Sequence, residues 1–243
     1  MSSTKTWDWW RGDVDWSTPA GRLLRAFFDG LPTDRRFHFI LFGSAPLQLT
    51  LNRTWTSADV DFFSDDDEDH QERIRHLGLG KGQADLYLEP GYRISFRTTP
   101  LMAERAKIVS LGQVTVTIPH PLDILIAKLA RLDAKDLLAF RRVIDLTGHP
   151  TREELLQELR NAVDLFRPAF DDESPNLYPG NSVRLWHELW QAPLDVGQDI
   201  VAPALARRRA GYGDPPPDYR RSLASMPKRA LAWNQPYMQS QQY

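Results

Sequence analysis

The apolar pattern of this chain changes character once, at His120, and that change bounds the fold. Before it, short apolar runs alternate with helix-like stretches; after it, only helical periodicity remains. In "STPAGRLLRAFFDG", Ser17 or Thr18 can cap, Pro19 suits a first turn, and Leu23, Leu24, Phe27 and Phe28 form an apolar face. The spacing predicts a helix over 19–29 that ends near Gly30. "RFHFILFG" reads as a buried strand, "APLQLTLNR" as a short helix leaving Gly43-Ser44, and "ADVDFFS" as the next strand. "EDHQERIRHLG" reads as a helix that stops near Gly78. "ADLYLE" and "YRISFR" read as two strands joined through the turn residues Pro90-Gly91. "TTPLMAERAKIV" holds a short helix, and "GQVTVTIP" alternates like a strand.

Beyond His120, "PLDILIAKLARLDAKDLLAFRRVIDLTG" reads as helix, with Leu122, Leu125, Ile126, Leu129 and Leu132 on one face. "TREELLQELRNAVDLF" opens on Thr151 with Glu154 three residues later, the signature of a capping box. "VRLWHELWQA" is a further helix. The expected fold class is therefore α+β: a mixed α/β part over 1–118, a helical region over 119–210, and a Pro- and Gln-rich basic tail over 211–243. The N-terminal segment carries Trp7, Trp9, Trp10 and Trp16, an indole density that suits packing onto a core or a partner subunit.

Composition excludes several function classes. With 42% hydrophobic and 26% charged residues the chain is an ordinary globular sequence. No apolar run reaches the length of a membrane span. "MSSTKTWDWWRGD" lacks the basic start and apolar centre of a secretory signal, so the expected location is the cytoplasm. No cysteine occurs, which removes disulfides, thiolate zinc sites and cysteine nucleophiles. Net charge is -2, but the charge is uneven: "DDDED" runs over Asp65 to Asp69, and Arg207, Arg208, Arg209, Arg220, Arg221, Lys228 and Arg229 crowd the end. Such a tail can attract nucleic acid or simply remain solvated.

The stretch "FILFGSAPLQLTLNRTWTSADVDFF" concentrates the chemistry. Asp59 and Asp61 are separated by one residue on a strand, so both side chains leave one face while Val60 faces the core. Carboxylates so placed suit magnesium (Mg2+) or manganese (Mn2+), which take oxygen ligands and neutralise charge at a reacting phosphate. Gly43 lets backbone approach a phosphate closely, and Ser44, opening a helix, offers a hydroxyl and amides.

"FGSAP" followed by "DVDF", with fourteen residues between Ser44 and Asp59, resembles the signature of the DNA polymerase β-like nucleotidyltransferase superfamily, with a slightly long spacer. "HPLDILIAKLARLDAKDLLAF" is similar to the helical segment of bacterial nucleotidyltransferase-like toxins of the AbiEii and MenT type. The match covers about residues 38–145. It implies a mixed sheet flanked by helices, with a helical C-terminal extension. It also implies Gly43 and Ser44 on a nucleoside triphosphate, metal on Asp59 and Asp61, Lys128 on phosphate, and Asp136 at the edge of the site. Periodicity adds that Ile124, Lys128, Arg131 and Lys135 form one stripe whose three cations could close over a polyanion. The family's third carboxylate has two candidates here, Glu89 and Asp85, which share a face by parity. The activity implied is transfer of a nucleoside monophosphate to an RNA such as tRNA, or to a protein acceptor, in a toxin–antitoxin or phage-defence setting. Two readings stand beside it: a catalytically weak or inactive module that binds nucleotide or a partner protein, and a nucleic-acid binder driven by the basic tail.

Other signals read as structural. The second Asp-Val-Asp, Asp13 to Asp15, follows no Gly-Ser strand, and the run Asp65 to Asp69 lacks the spacing of a calcium loop. The six histidines show no metal-ligand spacing; His38 reads as a packed core residue, and His120 and His149 as helix-boundary residues. "GLGKGQ" follows a helix instead of a strand and reads as a loop.

Overall fold

The computed structural model describes residues 10, 13–55, 57–64, 70–91, 96–166 and 176–213. They fall into two compact units: 1–96 with 104–124, and 97–103 with 125 onward. The fold class is α+β, with a five-stranded mixed sheet flanked by helices.

In the first unit, α1 (Pro19–Asp29) starts on Thr18, whose hydroxyl accepts the Gly21 N–H at 3.1 Å, with Pro19 at its first position. β1 (Phe37–Leu41), the six-residue α2 (Ala45–Thr50), β2 (Asp59–Ser64), α3 (His70–His76) and β3 (Tyr87–Pro90) follow. After α4 (Met102–Arg105), of which residues 104–105 belong to this unit, come β4 (Lys107–Leu111), β5 (Val114–Ile118) and α5 (Pro121–Lys128), of which residues 121–124 belong to it. The strand order is β3-β2-β1-β5-β4. β1 runs antiparallel to β2 and parallel to β5, and β3 is parallel to β2. Pro90, which cannot donate to a ladder, is tolerated because β3 is an edge strand.

One face of this sheet is the core. Phe37, Phe39 and Leu41 of β1, Val60 and Phe62 of β2, Leu88 of β3 and Val114, Val116 and Ile118 of β5 meet Leu24, Phe27 and Phe28 of α1. Phe27 lies 5.8 Å from Phe39 and 5.6 Å from Phe62, the spacing of edge-to-face and tilted aromatic pairs. His70 is buried in this cluster, 5.2 Å from Phe39. His38, expected in the core, instead faces the other way, half-buried, with Nε2 2.8 Å from the Thr117 hydroxyl. Alternation along β1 decides this: Phe37 and Phe39 take the core face, so His38 cannot. Trp10 packs edge-on to His120 at 4.9 Å, and Trp16 packs against the same core, beneath the Arg25 guanidinium. Trp7 and Trp9 lie outside the described residues. Arg105, at the end of α4, and Asp123 of α5 form a fully buried two-pronged ion pair at 2.6 and 2.8 Å.

One strand was not read from the sequence, and one expected strand lies largely outside the described residues. The short helix expected in "TTPLMAERAKIV" is α4, and β4 begins at the end of that stretch; its burial merely alternates, and Ile108 is 69% exposed, so no apolar run announces it. The strand expected over "YRISFR" falls mostly outside the described residues, as does the acidic run Asp65 to Asp69.

The second unit is helical. The long helix expected after His120 is broken: α5 ends at Lys128, Leu132 adopts a left-handed φ of 53°, and α6 (Ala134–Thr147) begins after Asp133. The stripe Ile124, Lys128, Arg131 and Lys135 therefore does not exist as one helical face, and Ile124 is buried. α7 (Arg152–Asn161) has the expected capping box: Thr151 Oγ1 accepts the Glu154 N–H at 3.2 Å, and Glu154 accepts the Thr151 N–H at 2.7 Å. A 3-10 turn (Val163–Phe166) precedes α8 (Tyr178–Trp190), and a π-helical turn (Val196–Val201) runs into α9 (Ala202–Tyr212). Arg207, Arg208 and Arg209, the first of the terminal basic residues, lie on α9, where Arg208 is buried and paired through both amino groups with Asp164. Among the described residues no helix is long and apolar enough to cross a membrane.

Candidate functional site

β2 and β3 build the site on the sheet face opposite the core. Val60 and Phe62 turn into the core, so Asp59 and Asp61 leave the other face together. The parallel register then sets Asp61 directly opposite Glu89. The result is three carboxylates, each with an oxygen within 4.8 Å of the other two. Asp59 and Asp61 are half-buried and Glu89 is exposed. Two unit charges at that separation repel by about 1 kcal/mol in bulk water and by roughly 3–4 kcal/mol at the effective dielectric near a protein surface. A divalent cation between them reverses the sign, and this group could hold one.

The Gly43–Ser44 turn touches the same group. Gly43 sits at a left-handed φ of 65°. Its Cα faces the Asp61 carboxylate so closely that a Cβ there would overlap Oδ2. Both the backbone conformation and the approach of Asp61 therefore disfavour a side chain. The Phe42 N–H donates to the Asp61 carbonyl at 3.0 Å, which ties the turn to β2.

Ser44 opens α2, and its carbonyl accepts the Leu47 and Gln48 N–H groups at 3.1 and 3.2 Å. Its hydroxyl makes no capping bond to that helix. The amide cradle suggested by the sequence is narrower than expected, because Pro46 has no N–H and Leu47 is engaged by Ser44. α2 is held from beneath by Gln48, whose side-chain oxygen accepts the Ala20 N–H at 2.6 Å and whose amide donates to the Trp55 carbonyl.

The third-carboxylate alternatives now separate. Glu89 joins the group. Asp85 precedes β3, in a bend, so strand parity does not reach it, and it is exposed outside the group. Ser57 was not singled out from the sequence; its hydroxyl donates to Asp59 Oδ1 at 2.8 Å and orients that carboxylate. Its position two residues before Asp59 was the available signal.

Lys128, Arg131 and Asp136 come together in the second unit. Lys128 Nζ lies 2.8 Å from Asp136 Oδ1, and Arg131 reaches Asp136 at 3.2 Å and Asp133 at 2.7 Å. Asp136 is fully buried, and it also accepts the Asp133 N–H at 3.1 Å. Burial pushes its carboxyl up, but the Lys128 hydrogen bond and charge, the Asp133 amide and Arg131 together outweigh burial and hold it below the usual carboxylate range. A phosphate reaching Lys128 must compete with Asp136 for the ammonium. Lys135 is exposed on α6.

The residues read as structural behave so. Asp15 accepts the Ser17 N–H at 2.9 Å and hydroxyl at 2.6 Å, and these bonds, the hydroxyl's first, lower its carboxyl. His120 Nδ1 accepts the Leu122 N–H at 3.0 Å at the start of α5, and His149 lies 2.7 Å from Glu154 at the start of α7. Compared with family models, curated proteins and solved structures, the chain gives no match.

Proposed function

We propose that this protein is a metal-dependent nucleotidyltransferase that moves a nucleoside monophosphate from a nucleoside triphosphate to a hydroxyl of an RNA, such as tRNA, or of a protein, within a toxin–antitoxin or phage-defence system. One observation carries the reading: the Asp59, Asp61 and Glu89 carboxylates converge against the left-handed Gly43 turn that leads into Ser44. Oxygen-only donors of this kind fit magnesium or manganese. When bound, the metal supplies neutralisation of the phosphate charge.

The chain's own residues supply positioning. Asp59 and Asp61 would hold the metal from one strand face, with Ser57 fixing the Asp59 carboxylate. Gly43 lets the phosphates approach backbone, and the Ser44 hydroxyl donates to a phosphate oxygen. The acceptor hydroxyl oxygen forms a bond to the α-phosphorus as the bond to the bridging oxygen breaks and pyrophosphate leaves. Glu89, the most exposed of the three acids, would complete the ligand set, and it accepts the acceptor's proton and passes it to solvent.

The test is transfer of label from α-labelled nucleoside triphosphates to tRNA or cell-extract protein with magnesium or manganese. The wild type is expected to label an acceptor and release pyrophosphate, and Asp59→Asn to abolish both. No labelled product from any nucleotide in any extract overturns the reading. A second reading, nucleotide or partner binding without turnover, draws on the engagement of Lys128 by Asp136. It predicts calorimetric binding of nucleotide with no pyrophosphate released.

A further inference from the structure

Beside the carboxylates, on the sheet face away from α1, stands a half-exposed aromatic ring, Phe42. The last registered pair of β1 and β2 is Leu41 opposite Phe62. One residue on, the Phe42 N–H bonds to the Asp61 carbonyl, so Phe42 flanks Asp61 from β1 as Glu89 flanks it from β3. Directly opposed residues share a face, so the Phe42 ring rises beside the carboxylates and away from the core. It packs 5.9 Å from Phe96 with the rings 26° from parallel, and 6.0 Å from Phe63 at 40°. Phe63 and Phe96 are buried, whereas Phe42 stays half-exposed.

Gly91 completes the seat. A Cβ there would run into the Phe42 ring, and the Gly91 backbone cannot move aside freely, because its N–H donates to the Phe62 carbonyl at 2.7 Å. The chain thus places glycine on both sides of this group: Gly43 admits the Asp61 carboxylate, and Gly91 admits the Phe42 ring.

We infer that Phe42 is a stacking platform that positions the nucleobase of the bound nucleotide, an inference that rests on the nucleotidyl-transfer reading above. The carboxylate group suits the metal-bound phosphates, and the flat group one sugar away from them is the base. Stacking on an aromatic ring accepts every base, because each has a π face, so this contact sets affinity and orientation and not base choice.

The test uses the full chain and calorimetry with three probes: manganese alone, inorganic tripolyphosphate with manganese, and each of the four non-hydrolysable ribonucleoside triphosphates with manganese. Phe42→Leu is expected to bind manganese and tripolyphosphate as the wild type does, and all four nucleotides about tenfold or more weakly. Phe42→Tyr restores nucleotide binding. Gly91→Ala, whose methyl displaces the Phe42 ring, reproduces the selective loss with residue 42 unchanged. Equal weakening for tripolyphosphate and nucleotides, or unchanged nucleotide binding in Phe42→Leu, overturns the platform and leaves the nucleotidyl-transfer reading standing. A wild type that binds manganese but no nucleotide overturns both.

Discussion

Replacing Gly43 by alanine tests the site and the fold at one atom. The native φ of 65° belongs to the left-handed region, which costs a non-glycine residue about 1–2 kcal/mol. The added methyl also overlaps Asp61 Oδ2, so either the carboxylate rotates or the turn opens. Opening the turn strains the Phe42 N–H bond to the Asp61 carbonyl, so rotation of the carboxylate is the easier relief. The expected loss is about 1–3 kcal/mol of stability, from backbone strain with a smaller steric part. For a chain of this size that lowers Tm by roughly 3–10 °C. Metal binding should suffer more, because Asp61 leaves the 4.8 Å group. Differential scanning calorimetry with and without manganese separates the two effects. Wild type gains about 2.7 kcal/mol at a manganese concentration one hundred times its Kd. Gly43→Ala should start lower and gain much less at that concentration. A variant whose Tm and manganese-induced gain both equal those of the wild type would refute the reasoning from close approach.

Two further perturbations follow from the charges. Glu89→Gln removes a like charge directly opposite Asp61, so the metal-free protein should be stabilised by about 0.2–1 kcal/mol while manganese binding weakens; calorimetric scans with and without the metal should show these opposite signs. Asp136→Asn leaves Lys128 partly buried without its counter-ion and should cost about 3 kcal/mol at neutral pH. Because the folded carboxyl lies below its unfolded value, this stability is present above about pH 4 and is lost as pH falls through the folded value; denaturant titrations of both proteins should converge in acid.

Much of the site was legible because it depends on local rules. Asp59 and Asp61 share a face by strand alternation alone, and α1 and α7 were marked by Thr18-Pro19 and by Thr151 with Glu154. What escaped the sequence depends on contacts between segments. Parity could not choose between Asp85 and Glu89, because the choice rests on where β3 begins and on its parallel register with β2. The break between α5 and α6 was hidden because "LARLDAKD" keeps an apolar period; Leu132 takes a left-handed conformation while remaining buried, and Asp136 gathers Lys128, Arg131 and the Asp133 amide around itself. β4 escaped because an edge strand with an exposed Ile108 carries no apolar run.

The sheet's register binds the site to the fold. On β2, Phe62 is locked among Phe27, Phe39 and His70, and its neighbours Asp61 and Phe63 must then face the other way. A slip of one residue would carry Asp61 into that aromatic cluster, where an unpaired carboxylate is strongly disfavoured, and would expose Phe62. The aromatic core thus does more than stabilise the unit. It fixes the direction of the Asp59 and Asp61 side chains, and the β2–β3 pairing then sets Glu89 opposite Asp61. Repulsion within the group is offset by the packing beneath it, which is how a cluster of like charges can persist on a sheet face before any cation arrives.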